Sequence, residues 1–187
     1  MQLRGTTGAR RGRDSLVDMT TSTFAAPVLN FRRPTVADHL GITTSIPGWW
    51  GTPNSATLPL LLPRLFLQHF ADTSTIVEDE GGELAGFLIG FRSQSQPETG
   101  YIHFVGVRPD QRGTGLGRML YEKFFAEMRA LGCTRVDAAT SVLNTGSQEF
   151  HRAMGFAFEG DTDFNGVPGW VDYDGPEQHR VSFSRAL

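Results

Sequence analysis

Between Tyr101 and Leu131 the chain changes from a strand pattern to a helix pattern across a run of glycines, and this run constrains the fold most. Tyr101–Val107 is rich in aromatic and β-branched residues and stops at Pro109. Arg112-Gly113-Thr114-Gly115-Leu116-Gly117-Arg118 follows, and Leu116, Leu120, Phe124, Met128 and Leu131 then recur at helical spacing until Gly132. A strand fed through a glycine loop into a helix start leaves several backbone N–H groups without intrahelical acceptors. Those donors, the positive end of the helix dipole and two arginines suit a pyrophosphate. Two other phosphate motifs fail on spelling. A P-loop needs Gly-Lys before Ser or Thr, and the chain has no Gly-Lys pair. The dinucleotide fingerprint needs a final glycine where Arg118 stands, and Asp137 alone does not restore it.

The surrounding chain alternates the two periodicities. Val28–Arg32 reads as a short strand, and Pro34-Thr35 opens a helix over Val36–Ile42. Leu58, Leu61, Leu62, Leu65, Phe66 and His69 mark one amphipathic helix. Thr75–Glu78 and Leu84–Phe91 read as strands joined at Gly81-Gly82. Thr134–Ala139 is a strand too apolar for a sheet edge, a shorter helix runs to Met154, and Phe156–Glu159 and Arg180–Phe183 are the last strands. The order β-α-α-β-β-β-α-β-α-β-β predicts an α/β fold with a mixed sheet and helices on its faces.

Composition narrows the partners. The 17 basic and 20 acidic residues leave a net charge of -3, the wrong sign for tracking nucleic-acid phosphates. The apolar stretch Leu58–Leu62 is far too short to span a bilayer, so no membrane partner is expected. The single Cys133 forbids an internal disulfide and any Cys-pair zinc site, which fits a reducing, cytoplasmic setting. Residues 1–26 carry Arg4, Arg10, Arg11 and Arg13 without apolar periodicity, and read as a disordered tail before a single domain over 27–187. Met19 offers an alternative start.

Arg112–Gly117 is similar to the R/Q-x-x-G-x-G/A signature of the GNAT family of N-acetyltransferases. Asn144 with Phe150-His151-Arg152-Ala153-Met154-Gly155-Phe156 resembles the family's second block. The close resemblance covers roughly 76–156, and a looser one 28–187. It implies a mixed sheet splayed at its centre, with acetyl-CoA as acetyl donor and no metal. The amides of Gly113, Thr114, Gly115, Leu116, Gly117 and Arg118, beside Arg112, would cradle the pyrophosphate. Val105, Gly106 and Val107 would pair with the pantetheine arm, and Asn144 would hold that arm or the next turn. The reaction implied is direct attack by a primary amine on the thioester in a ternary complex. An idle acyl-CoA-binding or sensor domain of the same fold is the alternative.

His151 stands where the family carries its tyrosine acid, so proton donation and simple helix packing are both open for it. His103 is the candidate base, and strict alternation puts Tyr101, His103 and Val105 on one face of the strand, with Ile102 and Phe104 on the other. Trp49 and Trp50, read as part of a Gly/Pro-rich loop, fall where the family lines its acceptor pocket. Asp161–Gly166 with Asp172 spells part of a calcium loop, but a Glu is missing at the twelfth position and Pro168 interrupts. Glu159, Asp161, Asp163, Asp172, Asp174 and Glu177 occur with no Lys or Arg among them. With Phe164, Trp170 and Tyr173 they suggest a wall for a cationic small-molecule or peptide amine, and Tyr101 is a further substrate-side candidate. The resemblance also admits a homodimer through this segment.

Overall fold

The computed structural model describes residues 28–50 and 56–187, so the tail expected over 1–26 lies outside the described residues. Seven strands form one sheet: β1 (Asn30–Arg32), β2 (Thr75–Glu78), β3 (Leu84–Arg92), β4 (Thr99–Val107), β5 (Arg135–Ser141), β6 (Ala157–Glu159) and β9 (Arg180–Ala186), in the order β1-β2-β3-β4-β5-β9-β6. β4 and β5 run parallel and every other pair is antiparallel. The crossover between the parallel strands is α3 (Leu116–Ala130), and α4 (Thr145–Ala153) follows β5. β7 (Thr162–Asp163) and β8 (Pro168–Gly169) pair as a separate two-stranded ribbon where the sequence resembled a calcium loop.

The central pair separates after four residues. Thr99–Ile102 pair with Arg135–Ala138, and beyond them the last five residues of β4 have no partner on the β5 side. β3 still holds the opposite edge of β4, and β9 holds the opposite edge of β5. The sheet therefore splays at its centre.

Two apolar clusters cover the faces. Leu116, Leu120, Phe124 and Met128 bury one stripe of α3 against Leu88, Ile102 and Val136. Ile42, Ile46 and Trp49 of α1 (Asp38–Trp50) pack with Leu67, Phe87 and Ile89 on the other side. The helix expected from Leu58 to His69 is broken. Pro59 and Pro63 each remove a backbone N–H, leaving a 3-10 turn over Leu58–Leu61 and the short α2 (Leu65–His69). α1 runs past the expected Ile42 to Trp50, so both tryptophans end a helix and do not belong to a loop.

The expected alternation along β4 also fails, for a local reason. Ile89 of β3 faces Phe104 while Gly90 faces Ile102, so His103 is an extra residue in β4, a β-bulge. Ile102, Val105 and Val107 pack toward α3. Tyr101 contacts Phe91, His103 stacks on Phe66 and Phe104 stacks on Trp50, all on the α1–α2 side. Val105 thus leaves the face of Tyr101 and His103, and Phe104 joins it.

Candidate active site

The loop leaving β4 is braced before it opens. Arg108 pairs with Asp79 at 2.8 Å and Asp110 at 2.7 Å. The Arg112 guanidinium donates to the Val107 carbonyl at 3.2 Å and to the Trp49 carbonyl. Arg112 therefore ties the end of α1 to the loop, while the exposed Arg118 side chain lies 4.0 Å from Glu122. Gly113 and Gly115 take φ of +77° and +93°, conformations costly for other residues, and no atom lies within 4 Å of where a side chain would begin. The first helical bond runs from the Met119 N–H to the Gly115 carbonyl, and the N–H groups of residues 113–118 find no acceptor among the described residues. Six donors with an open approach are what a pyrophosphate needs.

Next to this loop lies the unpaired edge of β4, residues 103–107, which includes Val105, Gly106 and Val107. Gly106 admits no side chain: a β-carbon there would come within 2.5 Å of Phe87 and 2.8 Å of Trp50. Asn144 caps α4, its side-chain oxygen accepting the Ser147 N–H at 3.1 Å and its amide donating to Thr140 at 3.2 Å. It holds the turn after β5.

The two histidines lie on opposite faces of the sheet. His151 is 5% exposed and stacks on Phe183 at 4.1 Å. Its Nδ1 faces the Ser147 carbonyl at 2.7 Å, so Nδ1 carries the hydrogen and Nε2 accepts from the Tyr121 hydroxyl at 3.0 Å. Burial pushes its pKa down to about 4, so near neutrality this ring has no spare proton to donate. His103 is partly exposed. Its Nε2 hydrogen-bonds the Leu61 carbonyl, which only accepts, so Nε2 donates and Nδ1 keeps a lone pair without a partner among the described residues. Burial lowers its pKa, an effect that outweighs the Leu61 contact. The neutral, proton-accepting form is thereby favoured.

On the same face, two cavities of about 200 and 260 Å³ adjoin. Both are lined by Tyr101, Asp137 and Tyr173, and the first also by Glu159, Trp170 and Ser182. Tyr101 is pushed up to about 12 by burial, with Tyr173, Asp174 and Asp137 adding to the rise. The predicted Tyr101, Trp170 and Tyr173 thus meet in one place. Trp49 and Trp50 do not line it: Trp49 is buried between Trp50 and Phe87. The sequence placed Asp137 only against a dinucleotide motif and not at the acceptor site, where its signal was a carboxylate within the apolar run Val136–Ala139. The acidic stretch also divides. Glu159 faces the cavity, whereas Asp174 pairs with Arg180 at 2.6 Å and Asp172 accepts the Glu177 N–H at 2.7 Å.

Comparisons with known proteins agree with this geometry. The Acetyltransferase (GNAT) family profile matches residues 45–156. An L-2,4-diaminobutyric acid acetyltransferase of Shouchella clausii is 28% identical over 138 residues, covering 72% of this chain and 73% of that protein. Other matched relatives of that name, such as those of Chromohalobacter salexigens and Virgibacillus pantothenticus, are spanned over 59% and 60% of their length. Among solved structures, a GNAT acetyltransferase of Desulfovibrio desulfuricans superposes with a TM-score of 0.65 at 20% identity, covering 85% of this chain and 99% of that one. The diaminobutyrate acetyltransferase of Paenibacillus lautus, solved with L-2,4-diaminobutyric acid and coenzyme A, gives 0.57 at 20% identity over 84% and 95%. The splayed sheet, the donor-lined loop and the family match together make this chain a member of the GNAT family of acetyltransferases.

Proposed function

We propose that this protein transfers the acetyl group of acetyl-CoA to a primary amine of a small cationic acceptor. The observation that carries the reading is the β4 edge left free by the splay, beside a loop presenting six N–H donors without an acceptor among the described residues. Acetyl-CoA, when bound, supplies an activated thioester. The amides of residues 113–118 would hold its pyrophosphate, and N–H groups on the free β4 edge would receive the negative charge that develops on the carbonyl oxygen.

His103 is the base in this reading. Its free Nδ1 takes a proton from the acceptor ammonium, the amine nitrogen bonds to the carbonyl carbon, the C–S bond breaks, and solvent protonates the thiolate. His151, neutral and held at both nitrogens, positions α4 and Tyr121. A cationic acceptor fits the carboxylates of Asp137 and Glu159, and relatives named for acetylating 2,4-diaminobutyric acid point to the same class. Thiol release from acetyl-CoA over a panel of amines tests the proposal. Turnover with cationic amines supports it, while CoA binding without thiol release from any amine would make the chain an acyl-CoA-binding module.

A further inference from the structure

Asp137 sits in the middle of β5, between β4 and β9, at the register position of Tyr101. One carboxylate oxygen lies 3.3 Å from Arg135. The other, Oδ1, is buried and has no hydrogen-bond partner among the described residues. A buried carboxylate oxygen without a donor is costly, and a carboxylate that lines a cavity with one oxygen unmet invites a ligand that donates. The walls around it are aromatic: Tyr101, Tyr173 and Trp170 line the first cavity, with Glu159 as a second carboxylate. Among the described residues, no Lys or Arg lines either cavity. Arg180 is committed to Asp174, and Arg135 also donates to Thr99 and Gln96, each at 2.9 Å.

The enclosure is built to keep its shape. Trp170 Nε1 donates to Ser182 at 2.8 Å, and the Trp170 and Arg180 backbones bond each other at 2.7 and 3.0 Å. Asp172 and Glu177 hold φ of +53° and +62°, strained for residues with side chains, in the turn that carries Tyr173. Asp172 accepts the Glu177 N–H, and its own N–H donates to His179 Nδ1 at 3.0 Å, which fixes that turn.

We propose that the Asp137–Glu159–Trp170–Tyr173 cavity is a subsite for a second, non-reacting ammonium, so that the preferred acceptor is an aliphatic diamine whose remote end bears no carboxylate. This rests on the acetyl-transfer reading and refines its acceptor. An ammonium answers the Asp137 and Glu159 carboxylates and lies against aromatic faces, while a carboxylate in the same place meets two like charges, with Arg135 and Arg180 already committed to other partners. His103 is two residues along β4 from Tyr101, roughly 6–7 Å along the strand, which is about the reach of a four-carbon chain. Cavities of about 200 and 260 Å³ are smaller than those typical of drug-sized ligands and suit such a molecule.

The test compares 1,4-diaminobutane, 1-aminobutane and 2,4-diaminobutanoate by thiol release, with calorimetric binding of 1,4-diaminobutane to the CoA-saturated protein. We expect the diamine to exceed the monoamine in kcat/KM at least about tenfold and to exceed the diamino acid as well. Asp137→Asn and Glu159→Gln should collapse the diamine-to-monoamine ratio toward one and weaken diamine binding, whereas Glu83→Gln, on the exposed turn between β2 and β3 outside the cavity lining, should leave the ratio where it is. Turnover with equal kcat/KM for diamine and monoamine, or a preference for the diamino acid, overturns the subsite and leaves acetyl transfer standing. Diamine binding that needs Asp137 but gives no thiol release from any amine keeps the subsite and overturns acetyl transfer. Absence of both overturns both.

Discussion

His151 and His103 are the same residue type in opposite electrostatic settings, and their pH behaviour should separate them. The folded His151 binds a proton only near pH 4, whereas an unfolded histidine binds one near 6.5. Between those values the unfolded state holds more protons, so its contribution to stability is complete above about 6.5 and is lost as pH falls toward 4. The loss should be on the order of 3 kcal/mol across that window. His151→Gln, which can still accept from Tyr121 but does not titrate, should flatten thermal stability there, and an unaltered pH slope would remove burial as the cause. For His103 the readout is kinetic. Because burial lowers its pKa, the acidic limb of the kcat/KM profile should fall below the ordinary histidine value. His103→Ala should reduce kcat/KM by about 10²-fold or more and abolish that limb. Retention of the limb in the variant would assign the base elsewhere. That His103 is paired through Nε2 could not be read from its position in the sequence. It depends on Leu61, 42 residues away, coming to rest against the β4 bulge.

At the scale of elements, the loop between β4 and α3 was fully legible. Glycines at 113, 115 and 117, placed between a strand ending at a proline and a helix stripe, dictate a donor-rich helix start wherever they occur. Gly115→Val should therefore weaken CoA binding at least about tenfold: valine is strained at φ +93°, and its bulk would project into the open approach to the donors. Calorimetry should show this while thermal unfolding moves little beyond the local strain. Equal CoA affinity in the variant would sink the phosphate assignment. The β4 bulge was not legible, because alternation assumes one residue per ladder position and a bulge inserts a second. The break between Leu61 and Leu65 was legible in principle. Pro59 and Pro63 stood inside the expected helix, and the apolar spacing masked them.

Across the whole molecule, charge and topology act together. A net charge of -3, with Asp137 and Glu159 facing the cavity, should draw a cationic acceptor toward the face opposite α3. Raising salt from roughly 0.01 to 0.15 M shortens the screening length from about 30 to about 8 Å, so the acceptor KM should rise a few-fold. Steady-state kinetics in matched buffers will show it, and a flat KM would confine the acidic residues to local roles. The sequence by itself determined what local chemistry can specify: the strand–glycine–helix junction, the apolar stripe of α3 and the family. Tertiary structure decided the rest. The separation of β4 from β5 after Ile102 and Ala138, the turn of Phe104 toward Trp50, the burial of His151 under Phe183 and the meeting of Tyr101, Asp137 and Tyr173 all join segments far apart in the chain. Such contacts follow from how two faces of a sheet are packed, and no local spacing encodes them.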